Sequence, residues 1–526
     1  MKARRLCWYL LWAGVLMGCG SDVTPATGVA AKPRAAIGSV HVDLESRRPA
    51  VMLSEYHLFA DVKNQVPNQG VIPYALNASH FVDYAVSHHF LYLPPGKQAG
   101  YDESDVFSFP VGTVLIQSLG FLHDVRDPQQ GERLVETRLL IHQTRGWLAV
   151  PYLWNEEGTD ARRAVIGGKT VVHWIQADGT PRSHEFITPD MNQCKRCHKN
   201  QDAVRPIGVR ARNLNCRLAG GEVNQLTEWV KTGLLAGAPS EEDWPLGIDW
   251  RDPSAGSTEA RARTWLDINC AHCHNPAGAA SVSGLDLSLQ QQLPVRFGVY
   301  KPPVAAGRGS SGFKFGIDPG SPETSFLLHR IRSTDPGAMM PTVGRTLVDV
   351  EGTALVEQWI REMKADQQLA ERALNPVKAY RDALQGGDAA RGKQLFYSQA
   401  KCSSCHQASP EDRGKVGPPL IGVASRTKRE YWLESIVAPS ARIVEKYVVT
   451  IVETVDGKVY SGLVVSEDAN ELVLRMADAT EVKLLQSSVE ERSLSTISLM
   501  PSMANLLSIE EVADLLEFLS TLKAEP

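Results

Sequence analysis

Three segments of the chain carry two cysteines that are separated by two residues and followed directly by a histidine. They are Cys194-Lys-Arg-Cys197-His198, Cys270-Ala-His-Cys273-His274 and Cys402-Ser-Ser-Cys405-His406. This spacing is typical of covalent c-type haem attachment, in which two thiols form thioethers with one haem and the histidine ligates its iron. With 9 Cys and 14 His in 526 residues, about 0.004 such motifs are expected by chance. We therefore predict three covalently bound haems c, with His198, His274 and His406 as proximal iron ligands.

Paired cysteines are also found in structural zinc sites and redox dithiols. Six of the nine cysteines lie in the three motifs, and every pair has the histidine directly after its second cysteine. Tetrahedral zinc spacing does not require that histidine, so haem attachment is the favoured chemistry. The cysteines outside the motifs are Cys7, Cys19 and Cys216.

Each of the second and third motifs is followed by a methionine that precedes a proline, Met340 and Met500 respectively. A thioether ligand favours ferrous iron, so His/Met ligation raises the haem potential and suits electron transfer. We predict that Met340 and Met500 are the sixth iron ligands. The competing ligands are His329 for the second haem and Met503 for the third.

The first motif differs, because no methionine or histidine lies between it and the second motif. An open sixth position is one alternative, and a ligand from elsewhere is another: Met191, an upstream histidine, Lys231 or Cys216. A Cys216 thiolate would lower the haem potential, but a buried, inert cysteine is the simpler interpretation. The upstream histidines His80, His88 and His89 lack a metal-site spacing, and scattered histidines in a β domain are more often structural or solvated.

The elements around these motifs follow from hydrophobic periodicity. Alternating β-branched and aromatic residues predict a β-rich domain over 48–188, with strands at 109–121, 136–142 and 169–175. Apolar residues at three- and four-residue spacings predict helices over 259–268 and 353–363, on either side of the second motif.

The third motif has the surroundings of a small helical cytochrome. Ser508 to Glu511 forms a capping box that opens a closing helix with one apolar face. A strand-rich insert lies between this motif and Met500, with strands at 447–453, 459–465 and 471–476 and a hairpin turn at Asp456-Gly457. The insert is either a docking surface or, as we favour, a packing module.

The N-terminus resembles a bacterial lipoprotein signal. Lys2, Arg4 and Arg5 precede an apolar run over 6–17 that is too short to span a bilayer. The following Leu-x-Gly-Cys resembles a lipobox, which implies that Cys19 is lipidated and tethers the protein to a membrane. The alternative is a soluble periplasmic protein.

Two longer resemblances follow. Residues of about 50–365 look like a family of bacterial dihaem c-type cytochromes, often encoded beside parallel β-helix proteins, in these segments: 68–74, 109–113, 151–156, 192–194, 267–274 and 302–308. Residues 387–523 resemble a class I cytochrome c domain that large environmental bacterial proteins carry at their C-termini. Both resemblances imply haem and electron transfer, and neither implies a substrate.

The expected fold is multidomain α+β, with an N-terminal β-rich domain, mostly helical class I-like cytochrome c domains and a small β insert. The expected divisions are a signal peptide over 1–18, a tether over 19–47, the β-rich domain over 48–188, a first haem segment over 189–250, a second cytochrome domain over 251–368, a linker over 369–386 and a C-terminal cytochrome domain over 387–526 with its insert at about 445–490.

We expect an electron carrier in the bacterial cell envelope, facing the periplasm or cell surface, between a redox donor and an acceptor. The formal net charge of −5 does not suggest nucleic-acid binding. The alternatives are a dihaem peroxidase-like haem enzyme with an open first haem, and a recognition protein whose β-rich domain binds a surface partner.

Overall fold

The computed structural model describes residues 38–46, 48–201, 203–304, 312–455 and 458–523. This part of the chain contains twelve α-helices and nineteen β-strands. None of its helices is both long and apolar enough to cross a membrane. The predicted signal peptide, the lipidation site Cys19 and the Asp456-Gly457 turn lie outside the described residues.

The N-terminal region is β-rich, as predicted. Its strands are β1 Phe59–Asp61, β2 Val66–Pro67, β3 Val71–Tyr74, β4 Val86–Tyr92, β5 Ala99–Gly100, β6 Val114–Leu122, β7 Glu132–Gln143, β8 Gly146–Trp154, β9 Ala161–Arg163, β10 Gly168–Ile175 and β11 Pro181–Thr188. Six of them form an antiparallel sheet in the order β3-β4-β6-β7-β8-β9, and β10 pairs with β11 in a hairpin. Strand β6 begins at Val114 rather than 109, because residues 111 and 112 form a turn with Gly112 at a φ of +96°.

The two faces of the six-stranded sheet pack against different partners, since successive side chains point to opposite sides. One face carries Leu91, Leu115 and Leu140 in register and packs against the helices that follow the first motif. The other face carries Phe90 and Ile116 and forms a separate core with the N-terminal segment. The first of these faces also lines a cavity together with the first motif.

The middle of the chain holds the first two motifs among short elements. These are α1 Met191–His198, β12 Lys199–Asn200, β13 Ala203–Val204, α2 Ala211–Leu214, α3 Gln225–Lys231, β14 Leu235–Ala236, α4 Thr258–Asn269, α5 Pro294–Phe297, α6 Phe326–Arg332 and α7 Val350–Glu362. Helices α4 and α7 confirm the two predicted helices. They pack together through Trp265, Leu355 and Trp359.

The C-terminal region combines helices with the predicted β insert. Its elements are α8 Gln367–Leu374, α9 Pro376–Ala379, α10 Ala389–Tyr397, α11 Arg429–Val437, β15 Thr450–Thr454, β16 Val459–Glu467, β17 Glu471–Arg475, β18 Glu481–Leu485, β19 Val489–Leu494 and α12 Ile509–Thr521. The insert is a five-stranded sheet in the order β18-β17-β16-β15-β19, so it has two more strands than predicted. The capping box is confirmed: Ser508 Oγ accepts from Glu511 N–H, and Glu511 Oε2 accepts from Ser508 N–H.

The segment expected to link the last two domains is ordered and largely helical. Tyr380 is 1% exposed in the C-terminal core. Its hydroxyl donates to the Leu507 carbonyl at 2.8 Å and accepts from the Asn505 N–H at 2.8 Å. This connection is therefore packed into the C-terminal region rather than exposed as a free tether.

Helices α10 and α12 cross at Gly392. A Cβ added there would collide with the Asp514 carbonyl oxygen and lie 2.9 Å from the Phe518 Cβ. We predict that Gly392→Leu separates the helices and lowers the free energy of unfolding of this region by about 3 kcal/mol or more. Faster hydrogen exchange of the α10 and α12 amides would report the loss, whereas Ala390→Leu on the exposed side of α10 should leave exchange unchanged.

Candidate functional site

The three motif histidines share one hydrogen-bonding arrangement. Nδ1 of His198 lies 2.8 Å from the Arg205 carbonyl oxygen, and Nδ1 of His406 lies 2.8 Å from the Pro418 carbonyl oxygen. Nδ1 of His274 lies 3.0 Å from the Ser283 hydroxyl. A carbonyl can only accept, so Nδ1 carries the proton in His198 and His406 and leaves Nε2 as the free donor to a metal. This is the arrangement that iron ligation by a neutral imidazole needs.

Burial also keeps these imidazoles neutral. It lowers the pKa of His198, and it lowers the pKa of His274 to about 4, with a smaller contribution from the positive charges of Arg330, His272 and Lys301. Burial lowers the pKa of His406 as well, against the opposing effect of its Pro418 bond. A metal-ligating histidine must be deprotonated at the ligating nitrogen, so these environments fit haem iron.

Helix α1 presents the first motif to a large cavity. The helix is held at its N-terminus by Asp190, whose carboxylate accepts from the Asn192 and Gln193 N–H groups at 2.7 and 2.8 Å. Both cysteines of the motif and His198 line the cavity at the other end of this short helix. The cavity is bounded on another side by the six-stranded sheet, so the N-terminal region forms a wall of the predicted first haem site.

One row of polar and aromatic residues crosses the cavity-facing side of the sheet. Tyr74 of β3 pairs with His89 of β4, which pairs with Gln117 of β6, which in turn pairs with Arg138 of β7. All four residues line the cavity. Arg138 is anchored by the fully buried Glu136, which accepts from Nε and Nη2 at 2.7 and 3.0 Å.

The cavity holds further cationic side chains. Arg205 donates to Asp105 at 2.8 Å, and Arg212 is paired with Asp267 in a buried ion pair. Arg210 also lines the cavity and lies 3.9 Å from Asp105. Guanidinium groups bind carboxylates strongly and directionally, so these walls fit a group that carries propionates, as haem does.

His80 lines the same cavity, from the irregular segment between β3 and β4. Its pKa is lowered to about 3, chiefly by burial and to a smaller extent by the positive charge of Arg138. Burial likewise lowers the pKa of His89 to about 3. Both rings are therefore neutral at ordinary pH. The histidine that the sequence grouped with them, His88, lies on the opposite face of the sheet and is paired with Glu132 at 2.8 Å.

The second motif begins where helix α4 ends. The Asn269 side chain accepts from the Phe81 N–H at 2.8 Å, which ties this end of the helix to the N-terminal region. Downstream, Arg345 donates to the Met340 carbonyl at 2.6 Å and to the Ile331 carbonyl at 3.1 Å. Arg345 thus fixes the partly buried Met340 loop to helix α6. The assignment of Met340 as sixth ligand stays a prediction, and its rival His329 lies with its ring 4.8 Å from that of Phe313.

The first two motifs meet at their second cysteines. The ligand atoms of Cys197, His272 and Cys273 all lie within 4.8 Å of one another. The backbone joins the two segments just beyond, since Gln201 N–H donates to the Ala277 carbonyl at 2.7 Å. The cysteines that would carry two different haems are therefore close neighbours. In a chain without haem, the same three side chains would form a cation site of the kind that zinc prefers.

The third motif lies beside the second. Lys401, directly before Cys402, donates from Nζ to the Pro276 carbonyl at 2.9 Å, two residues after His274. The loop after the motif packs tightly on its histidine: a Cβ added at Gly417 would lie 2.6 Å from His406 Nδ1 and 2.8 Å from Nε2. A glycine is required there by the close approach of the imidazole.

The predicted methionine lies in the core around the third motif. Met500 and Cys402 pack against the same buried cluster, in which the rival Met503 is 8% exposed. The structure brings both methionines to this region, so the choice of Met500 stays a prediction. Cys216, by contrast, is buried away from the motifs and accepts a hydrogen bond from Gln225 Nε2 at 3.2 Å.

The β insert covers the other cysteine of the third motif. Val449, at the start of the insert, and Leu463 of β16 form a small core with Val416, against which Cys405 packs. Arg475 of β17 also donates to the Lys415 carbonyl at 3.3 Å. These contacts favour the packing interpretation of the insert over a free docking surface.

The comparisons with known proteins agree with this geometry at the third motif. A family model described as cytochrome c matches residues 389–454, from helix α10 through the motif to the first strand of the insert. No curated protein matches the chain. The chain thus contains a cytochrome c domain, whose cofactor is covalently bound haem c and whose general role is electron transfer.

Sequence reasoning did not single out the cavity walls. Gln117 and Arg138 carry no motif, and His80 and His89 were more simply explained as structural or solvated. Strand alternation does place His89 and Arg138 on one face of their respective strands. The pairing that brings the strands together, and with them one face of the sheet to helix α1, follows only from the fold.

Proposed function

We propose that this protein is a trihaem cytochrome c that relays electrons along three covalently attached haems. The haems follow one another in the order in which the three motifs contact each other. Cys194 and Cys197 hold the first haem, Cys270 and Cys273 the second, and Cys402 and Cys405 the third. When bound, haem supplies reversible one-electron chemistry. The protein residues attach the haems, orient the proximal imidazoles through Nδ1 and surround the iron sites with buried side chains.

The observation that carries this proposal is the contact between motifs. The thiols of Cys197 and Cys273 lie within 4.8 Å, and Lys401 joins the third motif to the segment after the second. Thioethers at these positions would bring the edges of neighbouring haems together. Adjacent haems can pass electrons from one to the next. Three haems that acted independently would not need to lie so close together. The resemblance of residues 50–365 to dihaem cytochromes supports the same assignment.

The relay would work at a membrane surface outside the cytoplasm. The lipobox-like sequence around Cys19 supports a lipid anchor, and the proposed partners are a redox donor and a redox acceptor in the cell envelope. Covalent attachment keeps haem from being lost where it cannot be replaced.

A haem enzyme is the second candidate function. An open first haem would need polar groups beside it to move protons, and His89, Gln117 and Arg138 line that cavity. The relay is favoured because His80 also lines this cavity and is suited to occupy the sixth coordination position of the iron.

Counting haems tests the proposal directly. We predict that the mature wild-type protein carries three haems per chain by intact mass and by pyridine haemochrome absorbance. Each double variant, Cys194→Ser/Cys197→Ser, Cys270→Ser/Cys273→Ser or Cys402→Ser/Cys405→Ser, should lose one. Cys216→Ser is the matched control and should keep all three.

Two results would contradict the proposed haem attachment. A wild-type chain with one haem and bound zinc would assign the Cys197, His272 and Cys273 cluster to a metal ion and reject the relay. Loss of a haem in Cys216→Ser would show that haem content follows stability rather than the motifs.

A further inference from the structure

The first haem lacks an evident sixth ligand in the sequence, and the structure narrows the choice. His198 lines the cavity and uses Nδ1 for its bond to the Arg205 carbonyl, so Nε2 is the nitrogen available to iron. A second protein ligand of this iron would come from another side chain that lines the same cavity. This inference rests on the proposed attachment of a haem at Cys194 and Cys197.

Three of the sequence candidates lie elsewhere. Met191 packs against the core on the far face of the sheet. The Lys231 side chain is 75% exposed and lies 3.9 Å from Glu228. Cys216 is buried in its own hydrogen-bonded environment. None of the three is among the described residues that line the cavity.

Two histidines do line the cavity, His80 and His89. His89 is fixed within strand β4, and its ring packs at 5.3 Å against the ring of Tyr74 from the neighbouring strand. His89 is therefore held within the six-stranded sheet, and its ring already packs against the ring of Tyr74.

His80 is placed differently. Its ring lies edge-on to the ring of His272 at 6.4 Å, and His272 in turn lies beside Cys197 and Cys273 of the first two motifs. Nε2 lies 3.9 Å from the position that a Cβ at Gly344 would occupy. No hydrogen bond from the described part of the chain holds the His80 ring. Its backbone is fixed on both sides, because the Ala78 N–H donates to Asn213 Oδ1 at 2.9 Å and the Phe81 N–H donates to Asn269 Oδ1 at 2.8 Å, so His80 reaches the cavity from a defined position.

We propose that His80 is the sixth ligand of the first haem, which therefore has His198/His80 ligation. Two imidazoles stabilise ferric iron more than an imidazole and a thioether do, so this haem has a lower potential than the two haems with predicted methionine ligands. The relay then runs from a low-potential first haem toward the higher-potential second and third haems. Arg138, Gln117 and His89 line the same cavity and are not assigned as iron ligands.

The test is EPR and visible spectroscopy of the full-length protein with its haems attached. The wild type should show three low-spin haems that do not bind carbon monoxide. In His80→Ala, one of the three should become high-spin and bind carbon monoxide when reduced, and added imidazole should restore the low-spin signal. His89→Ala is the matched control and should keep all three haems low-spin.

His80→Met provides a second measurement if the alanine variant folds poorly. It should keep the first haem low-spin and raise its potential. Three low-spin haems in His80→Ala, or one high-spin haem in His89→Ala instead, would overturn the assignment while the haem count of three still supports the relay. A wild-type chain without haem at Cys194 and Cys197 would overturn both proposals.

Discussion

Replacing Met500 by alanine is expected to lower the potential of the third haem by on the order of 100 mV and to let carbon monoxide bind its ferrous iron. As the predicted sixth ligand, the Met500 thioether would stabilise ferrous iron, and alanine would leave that ligand position unfilled. A spectroelectrochemical titration resolves the shift. Met340→Ala should have the same effect on the second haem and leave the third unchanged.

Met503→Ala is the control for this experiment. Met503 is buried in the same core, so its truncation should cost about 2–5 kcal/mol of stability while the third potential stays where it was. If Met503→Ala lowers the potential and Met500→Ala does not, the ligand is Met503. The same comparison with His329→Ala decides between the two candidates at the second haem.

Gly417→Ala is expected to displace the proximal histidine of the third haem. The added methyl carbon would lie 2.6 Å from Nδ1 and 2.8 Å from Nε2 of His406, well inside van der Waals contact. The ring must move away from its bond to the Pro418 carbonyl, and its ligation to iron is lost or weakened. We expect one high-spin haem in the EPR spectrum and about 3 kcal/mol or more of lost stability.

Gly256→Ala is the matched substitution. Its added Cβ would have its nearest neighbour at 3.4 Å, an ordinary contact, and it lies outside the motifs. It should leave all three haems low-spin and change stability by less than about 1 kcal/mol. If the third haem of Gly417→Ala stays low-spin, the loop around residue 417 moves to make room for the methyl group and the His406 imidazole keeps its position.

Much of the architecture follows from local sequence patterns. The strands β6, β7 and β10 and the helices α4, α7 and α12 lie close to where periodicity predicts them, because their apolar residues recur at the spacing of a strand or a helix and are buried. The short insert strands β18 and β19 did not emerge, since Glu481–Leu485 and Val489–Leu494 are polar or exposed along much of their length. Their pairing to β17 and β15 supplies what their own composition lacks.

The sequence predicts only those parts of the candidate site whose residues are neighbours in the chain. The spacing of two cysteines and a histidine lies within five residues, so the sequence displays it in full. The contact of Cys197 with Cys273, and the cavity that His80 and His198 share, join segments far apart in the chain. Such contacts depend on how the sheet packs against helix α1, which no short pattern encodes.

The contact between the first two motifs also constrains biogenesis. Haem can reach a thiol only while that thiol is accessible, yet Cys197 and Cys273 face each other and the backbones of Gln201 and Ala277 are joined just beyond them. Under the proposed assignment, both haems would therefore be installed before these segments dock. A chain that docks first, without haem, brings the two thiols close to disulfide distance. Oxidation would then join the two thiols in a disulfide. Neither thiol could then form a thioether with haem.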